Sequence, residues 1–257
     1  MRSGCSPWAR LLCLSLAAWP GVAAAAEGNY LILSLLCDRI TIIYAERQLG
    51  SNLDRNRREV RPLTDSGLDD LAVVTARAAV AKARPGGTIT MLRATDPALY
   101  ALRDSWLDSD SVDVKALTSL VAKLVPGSVG ARLLLIAPYR GELDLKTDRD
   151  YRGSESKEAG LGFYVDSRTR FTRSDTRETS VGFLGVFANF RLLLIDLDAN
   201  TVDAQERIRV GTTFAAARAP DKTAWNALSS ADKIKTLQTL MKGEMERSLP
   251  IMLAAKH

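Results

Sequence analysis

The sequence predicts an α/β fold: a single domain whose mixed sheet carries helices on its faces, with a long polar excursion. Three observations predict it. Almost wholly apolar runs at residues 30–36 and 133–137 have the length of strands covered on both faces. Elsewhere apolar residues recur at helical spacing, as at Val114, Leu117, Val121 and Leu124. No Pro/Ser-rich linker and no internal repeat divides the chain, so one core is expected.

The elements follow in chain order. Residues 1–26 have the pattern of a secretory signal peptide. Arg2 and Arg10 form a positive start, residues 11–18 are apolar, and Ala24-Ala25-Ala26 offers small residues before Glu27. The apolar run is too short to span a bilayer. Residues 30–36 and 39–46 read as two strands joined by a tight turn, the first of two hairpins. Residues 50–58 are polar and read as a loop leading into residues 59–63. A helix is expected over 67–84, with Asp69 and Asp70 at its positive end and Pro85-Gly86-Gly87 after it. A short strand at 88–93 and a helix at 97–107 come next. A third helix covers 112–125, stopped by Pro126-Gly127, and 133–137 is a central strand.

Between Pro138 and Gly185 the chain turns polar and rich in Gly and Arg, and reads as a long irregular excursion. Residues 187–197 and 202–210 then flank Asp198-Ala199-Asn200-Thr201 as the second hairpin. In its return strand Val202, Ala204, Ile208 and Val210 share one face. Asp203, Gln205, Arg207 and Arg209 share the other, and Glu206 is out of place. The last helix covers 230–249, with Ile234, Leu237, Met241 and Met245 as its stripe and Pro250 as its end.

Composition narrows the function. The 257 residues are 46% hydrophobic and 25% charged, an ordinary globular balance. Without residues 1–26 the chain has 231 residues (257 less 26) and 33 basic side chains (35 less Arg2 and Arg10) against 30 acidic ones. A net charge of +3 is too mild to argue for nucleic acid. Cys37 would then stand alone, which excludes an internal disulfide, and it reads as a small core residue. The one histidine, His257, is at the last position, so His-based triads and most zinc chemistry are not expected.

No motif points to a cofactor or a metal, and none is expected. There is no P-loop, and Gly160-Leu161-Gly162 is only half of a dinucleotide fingerprint. Ser154-Glu155-Ser156-Lys157 matches S-x-x-K, but Ser230-Ala231-Asp232-Lys233 matches equally well and no partner motif exists. Asp108, Asp110 and Asp113 read as a helix cap and first turn in preference to a calcium loop. Val181 to Phe190, glycine-spaced and aromatic, reads as a strand entering the core.

Two groups are candidate sites. Arg140, Glu142 and Asp144 follow the central strand, where ligands bind in α/β sheets. Glu142 and Asp144 share one face of an extended segment and form a candidate acid/base pair, with Arg140 as an anion-binding residue. Arg168, Arg170, Arg173 and Arg177 form a spaced basic stripe around Phe171. The first three are candidates for binding an anionic partner, against a self-paired hairpin with Asp166, Asp175 and Glu178.

The run Arg191-Leu-Leu-Leu-Ile-Asp-Leu-Asp-Ala-Asn-Thr-Val202 resembles the hairpin of α/β domains in periplasmic assembly proteins. The curli-secretion lipoprotein and the amino-terminal domain of the Tol-system propeller protein are examples. About a quarter of the chain carries the resemblance, and the lipobox cysteine is absent. It implies a mixed sheet with packed helices and a binding or assembly role, and it brings no catalytic residue. The expectation is therefore an exported periplasmic binding or envelope-assembly factor without catalytic activity. Its partner would be a protein or an anionic envelope component. It would bind no nucleic acid, and the mature chain would have no transmembrane span. The alternative is a carboxylate-dependent hydrolase built on Glu142 and Asp144.

Overall fold

A computed structural model describes residues 28–46, 56–107, 111–128, 130–147 and 157–254. The expected signal segment, most of the 50–58 loop, Asp108, Asp110, Ser154 and His257 lie outside them. The fold is the expected α/β domain with a mixed sheet. The strands are β1 (Asn29–Ser34), β2 (Arg39–Tyr44), β3 (Arg57–Pro62), β4 (Ile89–Leu92), β5 (Ala131–Pro138), β6 (Arg140–Glu142), β7 (Lys157–Thr172), β8 (Thr179–Asp196) and β9 (Thr201–Ala215). The helices are α1 (Gly67–Ala83), α2 (Pro97–Ser105), α3 (Val114–Leu124) and α4 (Ser230–Ala254).

The long strand β8 is the spine. On one edge it pairs with β9 from Phe183 to Asp196. Its other edge is shared by two strands placed end to end. β5 takes Phe190 to Asp196, and β7 takes Thr179 to Asn189. Beyond β5 lie β1 and then β4, both parallel to it. Beyond β7 lie β2, parallel to it, and the antiparallel edge strand β3. β1 and β2 are therefore not a hairpin, as their short spacing suggested. They run in line, one in each half of the sheet. The first real hairpin is β2 with β3.

Likewise β7 continues the path of β5: the chain leaves that path at residue 139 and has rejoined it at residue 160. The excursion is less irregular than its composition suggested, because β6 pairs with the start of β7, and β7 and β8 form a long hairpin. Gly162 lets β7 close on β2: a Cβ there would overlap the Thr41 carbonyl oxygen and the Phe187 ring. At Asp166 the hairpin bulges, and the Asp166 carboxylate accepts from the backbone N–H of Arg168 and Thr169, both at 2.8 Å.

Alternation along β8 sorts the core. Leu184, Val186, Ala188, Phe190, Leu192 and Leu194 face a layer made by α1 and α4. The alanines of α1, Ala72 and Ala76, are buried and allow close packing. α4 presents Leu237, Met241, Met245, Leu249 and Met252, while the expected stripe member Ile234 is exposed. Pro250 does not end α4. Its ring lies on the solvent side, where water can serve the carbonyl it frees. Burial of Met252 and Leu253 keeps the helix going, and Arg84 donates to the Leu253 carbonyl at 2.9 Å.

The opposite face of the sheet carries two separate clusters. Leu193 and Ile195 lie under α2 and α3 with Trp106, Leu117 and Val121. Phe183 and Phe187 lie under Leu143 and Leu145 of the excursion. Among the described residues no helix is long and apolar enough to cross a membrane.

Candidate functional site

Polar groups gather at two places where the half-sheets meet. The first is the step from β1 to β2. Asp69, in the first turn of α1, accepts from the Ser34 hydroxyl, from Leu36 N at 3.1 Å and from Cys37 N at 3.3 Å. Burial raises its carboxyl above the usual range, although these donors pull it down. Arg103 of α2 is buried and forks onto Asp38 at 2.8 and 3.0 Å, and it also donates to the Leu35 carbonyl at 2.9 Å. Asp104 accepts from Arg103 and Arg39. Burial alone would raise the Asp104 carboxyl, but these two hydrogen bonds hold it below its ordinary value. Cys37 is buried as expected, and burial pushes its thiol up, away from the nucleophilic thiolate. A crevice of about 240 Å³ opens beside this step, past the carboxyl ends of β1 and β4. Its carboxylates serve the fold: Asp69 holds the step, and Asp70 binds Ser66 and Arg93.

The second place is the seam between the two clusters on the α2/α3 face. Along β8 the order on this face is Phe187, Asn189, Arg191, Leu193. The outer two are apolar and belong to different clusters. Asn189 and Arg191 fill the gap, and both are fully buried. The Asn189 amide donates to Gly141 O at 2.9 Å and to Glu158 O at 3.0 Å, tying the departure of the excursion to its return. Its side-chain oxygen has no hydrogen-bond partner among the described residues.

Above the seam lies a cleft of about 280 Å³ lined by Trp106, Leu107, Pro138, Tyr139, Arg140, Lys157 and Arg191. β5 ends there because Pro138 brings no N–H for further pairing. The described lining holds three cations and no carboxylate. The Arg191 guanidinium lies 5.8 Å from the centre of the Trp106 ring. Trp106 is 2% exposed, and its indole N–H has no hydrogen-bond partner among the described residues. Outside the rim, Arg207 covers the Tyr139 ring at 5.2 Å. In the β8–β9 register Arg207 stands opposite Arg191, and Arg209 stands opposite Asn189. Like charges placed opposite each other cost a fraction of a kcal/mol, roughly 0.2–1. The seam therefore concentrates positive charge and buried donors.

The expected site residues separate. Arg140 lines the cleft. Glu142 and Asp144 do share one face, but it is the outer one, because Gly141, Leu143 and Leu145 are buried between and beside them. Glu142 lies 3.8 Å from Arg209, and neither carboxylate lines the cleft. The arginine stripe is not one surface. Arg168 lines a shallow basin with Tyr44, Glu46 and Ser167, and Arg170 is exposed. Arg173 is committed to the fold. It forks onto Asp175 at 2.7 and 2.8 Å and donates to the Thr213 carbonyl at 2.7 Å. Its hydrogen bonds lower the Asp175 carboxyl to about 2. Asp113 caps α3 by accepting from Ala116 N at 2.9 Å, as expected.

Sequence reasoning missed Trp106, Tyr139, Lys157, Asn189 and Arg191. One signal was legible. Asn189 and Arg191 are polar residues two apart inside a run otherwise buried on both faces. Among the described residues no three or more His, Cys, Asp or Glu gather as a metal-ligand set. Compared with protein families, characterised proteins and solved structures, the chain gives no match.

Proposed function

We propose that the protein is an exported binding factor, without catalytic activity, that captures an anionic group in the cleft above Arg191. The observation that carries this reading is the buried Trp106 N–H, which has no hydrogen-bond partner among the described residues, beside a cleft whose described lining has three cations and no carboxylate. A buried donor left unmade costs about 1–3 kcal/mol, which an anion's oxygen would relieve. Planar guanidinium groups and an indole N–H suit a carboxylate or a phosphate. The signal-like residues 1–26 support a periplasmic address. There the anion would belong to a protein partner or to an envelope component. A hydrolase built on Glu142 and Asp144 gains no support, because both face outward.

The test is a titration of purified residues 27–257 with inorganic phosphate and with acetate, read by tryptophan fluorescence in a Trp225→Phe background, which leaves Trp106 as the one tryptophan. A saturable change is expected. Arg140→Ser with Lys157→Ser weakens it about tenfold or more, since a hydrogen bond to a charged group contributes about 1.5–3 kcal/mol. An equal response in that double variant, at unchanged melting temperature, removes the cleft from the reading.

A further inference from the structure

Among the described residues β9 lies at the edge of the sheet, paired with β8. Thr201, Val202, Gln205, Glu206, Arg207 and Arg209 are exposed. Both ends of this stretch are closed to pairing in different ways. At Asp203 the strand bulges, since Ala204 pairs with Leu194 while Val202 pairs with Ile195. Bulges stop strands from adding at an edge. The Asp203 side chain is only 6% exposed and turns back to Arg132 at 3.5 Å. At the other end Arg173 already holds the Thr213 carbonyl. Between them, residues 204–210 form a regular strand of about the length a short peptide needs for a stable ladder.

The two sides of this window differ. Ile208 packs into the core beneath α4, with Ala204 and Val210 against it. On the cleft side stand Arg207, over Tyr139, and Arg209, whose stem runs against Gly141. The acid on β9 near them, Glu206, is on the α4 side, where its charge favours the Arg247 cation, and Glu142 of β6 lies 3.8 Å from Arg209 in an exposed pair that an added carboxylate would have to share. Arg207 and Arg209 are two residues apart, so their stems leave the strand about 7 Å apart. Alternate side chains of an added strand have the same spacing.

We propose that β9 is a docking strand for an extended acidic peptide, which adds along residues 204–210 and sets alternate carboxylates beside Arg207 and Arg209. The backbone ladder gives the affinity, and the two arginines choose acidic residues over neutral or basic ones. This deepens the anion reading of the adjoining cleft and rests on it for the partner's charge.

The experiment uses a labelled eight-residue peptide of alternating valine and glutamate. It is compared with the valine–lysine peptide and with a valine–glutamate peptide N-methylated at alternate residues, all by fluorescence anisotropy. The valine–glutamate peptide is expected to bind, and the other two are not. Arg207→Glu with Arg209→Glu weakens it about tenfold, two cross-strand charge pairs, and brings up binding of the valine–lysine peptide. The variant's melting curve checks that it folds. Equal binding of the N-methylated peptide overturns strand addition. Indifference to the charge swap overturns the role of the arginines. A dimer of the protein that the peptide does not dissociate, seen by ultracentrifugation, makes a second copy the occupant and overturns the proposal. The phosphate titration at Trp106 keeps the two readings apart. Phosphate without peptide removes only the dock, and peptide without phosphate removes only the cleft.

Discussion

Asp69 and Asp104 hold the same crossing from β1 to β2, yet they respond to pH in opposite senses. The folded carboxyl of Asp69 lies above its unfolded value, with burial as the largest cause. Its contribution to stability is therefore complete below the unfolded value and is lost as pH rises through the folded one. Asp104 lies below its unfolded value, so its contribution is present above that value and is lost as pH falls through the folded one. Above the ordinary carboxylate value, about pH 4, Asp69 is thus expected to lower stability as pH rises. Asp69→Asn should flatten this dependence, measured as the urea midpoint at each pH. An unchanged pH slope would mean that Asp69 is charged throughout that range. Arg103 holds both neighbouring carboxylates. Removing one partner of such a buried set is expensive because the others remain as uncompensated charge.

At the scale of elements, pairing across the junction of the half-sheets depends on close approach. Gly162→Ala should push β7 off β2 and cost about 1–3 kcal/mol by overpacking, read as a drop in the urea midpoint at unchanged slope. Element boundaries were largely legible. Helical spacing placed α1 and α3 closely, and the turn residues 198–201 placed the β8–β9 hairpin. What alternation does not encode is which strand pairs with which. The four residues between β1 and β2 are enough for a hairpin turn or for a step along one line. The choice is made by Asp69, Asp38 and Arg103, which come together only in three dimensions. Pro250 misled for a related reason, since the burial of Met252 and Leu253 outweighs the local preference to stop. The cleft was half legible. Arg140 was found by its position after a strand, whereas Trp106, Lys157 and Arg191 come from three other elements and share no sequence signature.

At the scale of the whole molecule, both halves depend on one strand. Every residue of β8 from Gly182 to Ile195 is buried. Amide exchange should therefore be slowest in β8. β4 is a four-residue edge strand and β3 is mostly exposed, so both should exchange early. Fast exchange throughout β8 would mean that the two halves open independently. The placing of the spine also sets an order of events. A chain emerging from the ribosome presents β1, β2 and β5 long before β8, so until residue 196 is out neither half has its central partner. The first 178 residues thus wait, unable to complete their sheet, until β8 is made. On the proposed export reading, that delay would keep the chain threadable during the interval in which an export channel must engage it.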